Sequence, residues 1–424
     1  MLHNISTEEL GPRGEVLARA IGTCVHCGFC LPACPTYQVL ESEMDSPRGR
    51  ILLMKSVLEG NLPADEAEPH IDRCLGCLAC VTHCPSGVEY GELVTSYRAH
   101  IRSRGSGRQG GWWNRVRDWL AATTLPYPGR LRWALRMGRP ARGLARFLPR
   151  ALRPMVDLVP HELPAPIPLP EVSPAQGEVR GRVALLAGCG QQVLAPDINA
   201  AAVRVLNRQG IEVLIPPSQS CCGALDWHNG RAQRAGRFAR SVLAAMPPDV
   251  DAIISTAAGC GSTLKEYELV LAGSAAEPAA RALAARAHDI AEYLSRLNLV
   301  PIPPVKGSLR IAYQDACHLA HAQGIRAAPR KLLQSIPGVE LCEIEAADTC
   351  CGSAGTYNIE HPSIAAELGR RKVETILQTR PDIVVTGNIG CLVQIKKHLE
   401  LQGEDLPILH TVQVLDRAYR QILG

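Results

Sequence analysis

"CVHCGFCLPACP" (residues 24–35) and "CLGCLACVTHCP" (residues 74–85) each set four cysteines at intervals of three, three and four and close on a proline. Eight thiols in this arrangement could form a disulfide frame, bind zinc or hold iron–sulfur clusters. The 424-residue chain carries 17 cysteines, and its first residues, MLHNISTEELGPRGEV, lack the basic-then-apolar layout of a secretory leader. A reduced, cytoplasmic setting is therefore expected, and it disfavours disulfides. The odd count leaves at least one cysteine outside any evenly paired scheme.

Zinc would use two separated pairs of ligands, whereas here three closely spaced ligands recur with a distal fourth. The spacing is the C-x2-C-x2-C-x3-C-P run of bacterial ferredoxins, in which the fourth cysteine serves the other cluster. Three cysteines at intervals of three curl the backbone around one face of a cubane and aim N–H groups at its sulfides. This assigns Cys24, Cys27, Cys30 and Cys84 to one [4Fe–4S] cluster and Cys74, Cys77, Cys80 and Cys34 to a second. Between the runs, MDSPRGRILLMKSVLEGNL reads as a turn at Pro47–Gly49 leading into an amphipathic helix with Ile51, Leu52, Val57 and Leu58 on its apolar side. Arg48 and Arg50 could offset cluster charge, or simply open a solvated helix.

The second half of the chain is a duplication. Apolar strands at VALLAG (183–188), IEVLIPP (211–217) and DAIIST (251–256) alternate with helical stretches, and the order recurs at LRIAY (309–313), VELCEI (339–344) and DIVVT (382–386). Such alternation implies parallel α/β units. Cys189 to Cys221 spans 32 residues and Cys317 to Cys350 spans 33; Cys222 to Cys260 spans 38 and Cys351 to Cys391 spans 40. Agreement this close marks an internal repeat. In each half the cysteines fall just after strands, where helix N-termini stabilise anions and ligands collect. Cys317, Cys350, Cys351 and Cys391, or Cys189, Cys221, Cys222 and Cys260, could hold a cubane, a zinc ion or part of an unusual cluster, or be packed thiols. Cys342 falls inside a strand and is read as core; His228 and His318 stand near these motifs without being assigned as ligands.

Residues 101–160 hold thirteen arginines, no lysine, only Asp118 and Asp157 as acids, and four of the five tryptophans. Trp112, Val116, Trp119, Leu120 and Thr123 share one helical face, which suits a membrane interface, a partner subunit or a linker packed between domains. VPHELPAPIPLPEVSP (159–174) reads as an extended spacer. No stretch reaches the ~18 apolar residues of a membrane span, so any membrane attachment is expected to be peripheral. A net charge of +4 does not suggest a nucleic-acid partner. No dinucleotide loop, Walker motif or nucleophile elbow is present, so no catalytic residue is assigned.

Two ferredoxin motifs followed by two CCG halves resemble the iron–sulfur subunits of bacterial glycolate oxidase (a glycolate dehydrogenase). The likeness runs through "CVHCGFC", "CPTYQ", "SPRGRI", "DRCLGC", "CPSGVEY", "AGCGST", "KEY", "TCCGSAGTYN" and "NIGC". It implies partner subunits that carry FAD and oxidise a 2-hydroxy acid, and electron passage through this chain toward membrane quinone. Subunits of anaerobic glycerol-3-phosphate or D-lactate dehydrogenases share the plan. Heterodisulfide-reductase subunits close their CCG halves with C-x-x-C, but here Thr263 and Gln394 occupy the last position. The expected architecture is a mixed α+β and α/β chain. It comprises a helical two-cluster domain (1–100), a basic helical segment and spacer (101–178), and two parallel α/β CCG domains (179–300 and 301–424).

Overall fold

The computed structural model describes residues 2–105 and 111–423, which leaves Arg108 of the basic stretch outside the described residues. The first hundred residues are helical. Helix Gly14–Thr23 runs into the first cysteine loop, and helix Tyr90–Ser103 packs along it to bury Leu17, Ile21, Leu93 and Val94. Pro35 and Pro47 both open helices, Pro35–Leu40 and Pro47–Leu58, as suits a residue with no N–H to leave unpaired. The helix begins at Pro47 itself, so Pro47–Gly49 form its first turn instead of a separate turn ahead of it. Ser46 caps it by accepting from Gly49 N–H at 3.0 Å. Leu53 and Met54 lie inside with Ile51, while Leu52 is on the surface, not on the apolar side expected of it.

The remainder is built on two sheets. The first contains β1 (Val172–Ser173), β2 (Gly181–Leu186), β3 (Ile211–Leu214), β4 (Ala252–Ser255) and β5 (Ala287–Asp289). The second contains β6 (Leu309–Gln314), β7 (Val339–Cys342), β8 (Ile383–Thr386) and β9 (Ile408–His410). Their orders, β1-β3-β2-β4-β5 and β7-β6-β8-β9, are the same four-stranded parallel arrangement, with β1 added antiparallel to the first. The duplication is thus realised strand for strand. The spacer is not wholly without structure, because its end supplies β1.

One apolar core runs between the halves. Ile198, Val205 and Leu206 of helix Pro196–Arg208 meet Val412 and Leu415 of helix Thr411–Tyr419. Arg204 pairs with Asp416 at 2.7 Å across the same junction. At the cysteine-bearing ends of the sheets, Ala258 N–H, just past β4, donates to Gly387 O, just past β8. The two CCG edges therefore face each other.

Candidate cluster sites

The two N-terminal loops share a backbone signature. In Cys24–Cys30 the left-handed residues are His26 and Gly28; in Cys74–Cys80 they are Gly76 and Leu78. These are the same two places counted from the first cysteine, although glycine fills only one of them in each loop. Left-handed residues among right-handed ones turn successive N–H groups toward a common centre, which favours an anion. A non-glycine residue there costs about 1–2 kcal/mol, so the curl is held against local preference in both loops. Gly76 N–H donates to Cys74 Sγ at 3.4 Å, and Val88 N–H to Cys84 Sγ at 3.5 Å.

Each loop faces its own cavity. One is lined by Cys24, Cys27, Cys30 and Cys84; the other by Cys34, Cys74, Cys77 and Cys80. The fourth cysteine of each run thus lines the recess beside the other run's loop. Cys80 also borders the first cavity, so the two sites share a wall. Recesses each lined by four cysteines, with backbone N–H groups bonded to Cys74 Sγ and Cys84 Sγ, fit a four-iron cluster on each side. Burial pushes the Cys30 thiol up to about 11 and those of Cys77 and Cys80 well above the ordinary value. Cys74 is lowered: its burial acts the other way, but the Arg50 and Arg98 charges outweigh it. A bound metal takes the place of the protons that burial otherwise retains.

The CCG cysteines also gather, four to a half. Cys189 Sγ lies 3.5 Å from Cys221 Sγ, and contacts continue from Cys221 to Cys222 and on to Cys260. The second half repeats the series Cys317, Cys350, Cys351, Cys391. Gly223 and Gly352 sit at φ 83° and 88° beside the backbone of Ala235 and Ala365. A Cβ on Gly352 would lie 2.6 Å from Ala365 O. Both motifs therefore need their glycine for conformation and for space.

The halves differ in charge. Seven residues beyond Ala365, Lys372 points inward and donates from Nζ to Ala346 O at 2.8 Å and Ala347 O at 3.2 Å. Seven beyond Ala235 stands Val242, fully buried and apolar. Cys351 lies well below the ordinary thiol range, held there by hydrogen bonds from Cys350 and Cys391 with help from Lys372.

The second N-terminal loop lies against this second half. Leu75, Cys77 and Ala79 share one buried cluster with Cys317, Cys350 and Tyr357. His318 pairs with Ser262 at 2.8 Å and packs edge-on against His228, with ring centroids 5.0 Å apart. Burial lowers both imidazoles, that of His318 to about 4. His321 bonds Thr82 at 2.9 Å. Cys342 ends β7, apart from both cysteine groups. Sequence reasoning did not single out Lys372, Tyr357 or Arg98.

The basic segment forms helices Trp112–Thr124 and Pro128–Ala141. Trp112, Trp119, Trp133 and Phe147 are each more than 60 % exposed. Arg117 turns inward and pairs with Asp118 at 2.8 Å, whereas Arg115, Arg136, Arg139 and Arg150 are exposed. Arg234 holds the first helix through Ala122 O at 2.7 Å, and Arg132 bonds Pro164 O at 2.7 Å. Among the described residues no helix is long and apolar enough to cross a membrane.

A 4Fe-4S dicluster domain matches residues 20–88, and a cysteine-rich domain, CCG, matches twice, at 183–265 and 311–396. The chain is 35 % identical to the glycolate oxidase iron-sulfur subunit of Escherichia coli (strain K12), over 97 % of this chain and 98 % of that one. It is 36 % identical to a probable glycolate oxidase iron-sulfur subunit of Bacillus subtilis (strain 168), over 92 % and 90 %. A hypothetical protein from Helicobacter pylori has a similar fold, with a TM-score of 0.53 at 9 % identity, covering 96 % of this chain and 72 % of that one.

Proposed function

The chain belongs to the family of glycolate oxidase iron–sulfur subunits, and from that membership we propose that it is the electron-transfer subunit of a flavin-dependent glycolate dehydrogenase. FAD-bearing partner subunits oxidise the 2-hydroxy acid, and quinone is the acceptor. When bound, [4Fe–4S] clusters each carry one electron, so two of them can draw the two electrons of such an oxidation from a flavin singly.

The observation that carries this reading is the continuity of the cysteine sites. Cys27 is exposed, with Val25 65 % and Phe29 66 % exposed beside it, so the first cavity opens to a partner. Cys80 forms a wall common to both cavities, and Cys77 packs in one cluster with Cys317 and Cys350. Cys24, Cys27, Cys30 and Cys84 hold the first cluster; Cys34, Cys74, Cys77 and Cys80 hold the second. Cys317, Cys350, Cys351 and Cys391 hold a third. The inward amine of Lys372 supports choosing this half, because a nearby cation favours thiolates. The exposed tryptophans and arginines of the basic helices rest on an anionic membrane surface from the cytoplasmic side.

The test is reconstitution. The purified, flavin-free chain should not oxidise glycolate, whereas the loaded chain mixed with its flavoprotein partners should support glycolate-dependent reduction of a quinone analogue. Turnover by the chain alone, or none with all subunits loaded, would overturn the proposal.

A further inference from the structure

Arg50 is only 1 % exposed and lines the second cavity. Its Nη1 donates to Thr36 Oγ1 at 3.0 Å and lies 3.9 Å from Cys34 Sγ; its Nε donates to His70 O at 2.7 Å. Thr36 Oγ1 is itself 3.2 Å from Cys34 Sγ, so the guanidinium is linked to that sulfur both directly and through a hydroxyl. Burying a cation is costly unless it is compensated. The compensation here is incomplete. Asp45 lies 3.4 Å from Arg50 Nη2, but its carboxylate also takes Arg73 Nε at 2.8 Å and His70 Nδ1 at 3.1 Å. Two guanidinium groups share one carboxylate. A third, Arg98, donates to the carbonyl oxygens of Ile71 and Cys74 at 2.7 and 2.8 Å.

The first cavity is arranged differently. Its nearby arginine, Arg48, holds His26 O at 3.0 Å and pairs one to one with Glu43 at 2.8 Å, with both side chains partly in solvent. That pair is neutral and screened by water. The two four-cysteine sites therefore match in backbone and in ligands but differ in fixed charge.

We propose that Arg50 is a potential-setting residue, whose buried charge makes the second cluster the more readily reduced of the two and so draws electrons inward from the exposed site toward Cys317 and Cys350. This rests on the two-cluster assignment above. Reduction adds one negative charge to a site beside a fixed cation in a low-dielectric interior, where their attraction is little screened. The step moves one electron: the outer site is oxidised, the inner site is reduced, no bond breaks, and Arg50 keeps its proton throughout. Arg50 is a positioning element for charge, not a ligand.

The experiment is an EPR-monitored redox titration of the full-length, iron-loaded protein, with Cys24→Ser identifying the signal of the first site. Arg50→Gln should lower the midpoint of the second cluster by at least tenfold in its reduction equilibrium, 59 mV for one electron, and leave the first unmoved. Arg50→Lys, which keeps the charge, should stay near the parent. Asp45→Asn, which removes the shared carboxylate, should shift the second midpoint upward. Equal shifts in both clusters, no shift in Arg50→Gln, or a fall in Arg50→Lys as large as in Arg50→Gln would overturn the proposal. If Arg50→Gln fails to retain its second cluster, Asp45→Asn decides: an upward shift supports the proposal, and none or a downward one ends it. The assignment beneath is judged separately, on the unmodified protein. Two clusters there with unresponsive midpoints reject only the role of Arg50; fewer than two reject both.

Discussion

The phenol of Tyr357 donates to the carbonyl oxygen of Arg73 at 3.0 Å, joining the second CCG half to the residue just before Cys74. This bond fixes the approach of the second cysteine loop to Cys317 and Cys350. Tyr357→Phe should keep both N-terminal clusters and cost about 1 kcal/mol, the net worth of one hydrogen bond. Tyr357→Ala should cost about 3–5 kcal/mol, because the ring is buried against both elements. Denaturant titration followed by cluster absorbance measures both, and equal losses would show that the hydroxyl, not the ring, joins the two parts.

Iron content tests the ligand sets. The N-terminal sites account for about eight irons and the second CCG half for about four more. Cys24→Ser and Cys77→Ser should each alter the EPR signal of one cluster and spare the other. Cys351→Ser should remove about four irons, whereas Cys222→Ser should leave the count unchanged. Two zinc ions with almost no iron would refute the assignment.

Gly352 and Gly403 separate conformation from crowding. Both are left-handed, but a Cβ on Gly403 meets nothing within 4 Å, while one on Gly352 meets Ala365 O at 2.6 Å. Gly403→Ala should cost about 1 kcal/mol. Gly352→Ala should cost about 2–4 kcal/mol, since backbone must also move. Thermal unfolding of the two variants would show whether the close approach in the CCG motif adds to the strain.

Asp289 introduces a pH dependence. The residue is 1 % exposed, and burial pushes its carboxyl up to about 7 against the opposing Ala291 N–H it accepts at 2.7 Å. Between about pH 4 and 7 the folded chain retains a proton that the unfolded chain releases. Its contribution to stability therefore falls as pH rises through that window, at up to about 1.4 kcal/mol per pH unit, and is constant above it. Asp289→Asn keeps an acceptor for the helix start and removes the slope. Unfolding free energies at pH 5 and 7.5 should differ less in this variant than in the parent; an unchanged difference would exclude Asp289 as its source.

The tryptophan face predicts salt-sensitive binding to anionic vesicles. Each exposed arginine contributes about 1 kcal/mol, roughly fivefold in affinity, and less at high ionic strength. Arg115→Gln, Arg136→Gln and Trp119→Ala together should abolish flotation while both N-terminal clusters remain. If flavoprotein co-purification is lost instead, without lipid present, the face belongs to a partner subunit. If neither changes, these helices are a linker.

Cys84 lines the recess of the first loop and Cys34 that of the second, a lining legible in the motif because its spacing leaves both residues beyond their own curls. The parallel α/β units were legible because apolar runs alternate with helical stretches, but the strand order was not, and β5 and β9, at three residues each, are too short for any period to register. Arg48 and Arg50 looked equivalent on paper. They stand two residues apart on a helix, hence on nearly opposite sides, and only the cap at Ser46 fixes which one turns inward. Lys372 closes an Arg-Arg-Lys run that reads as surface. Arg370 and Arg371 do face solvent, paired with Glu367, while the next residue along turns to the core.

The junction between helix Pro196–Arg208 and helix Thr411–Tyr419 has a consequence for how the chain is made. The bond from Arg204 to Asp416 links residues 212 positions apart. At ribosomal rates of about 5–20 residues per second, the first helix emerges on the order of tens of seconds before its partner exists. During that interval Ile198, Val205 and Leu206 lack the cover they have in the finished protein. The first CCG half thus waits on translation of the downstream helix that closes it.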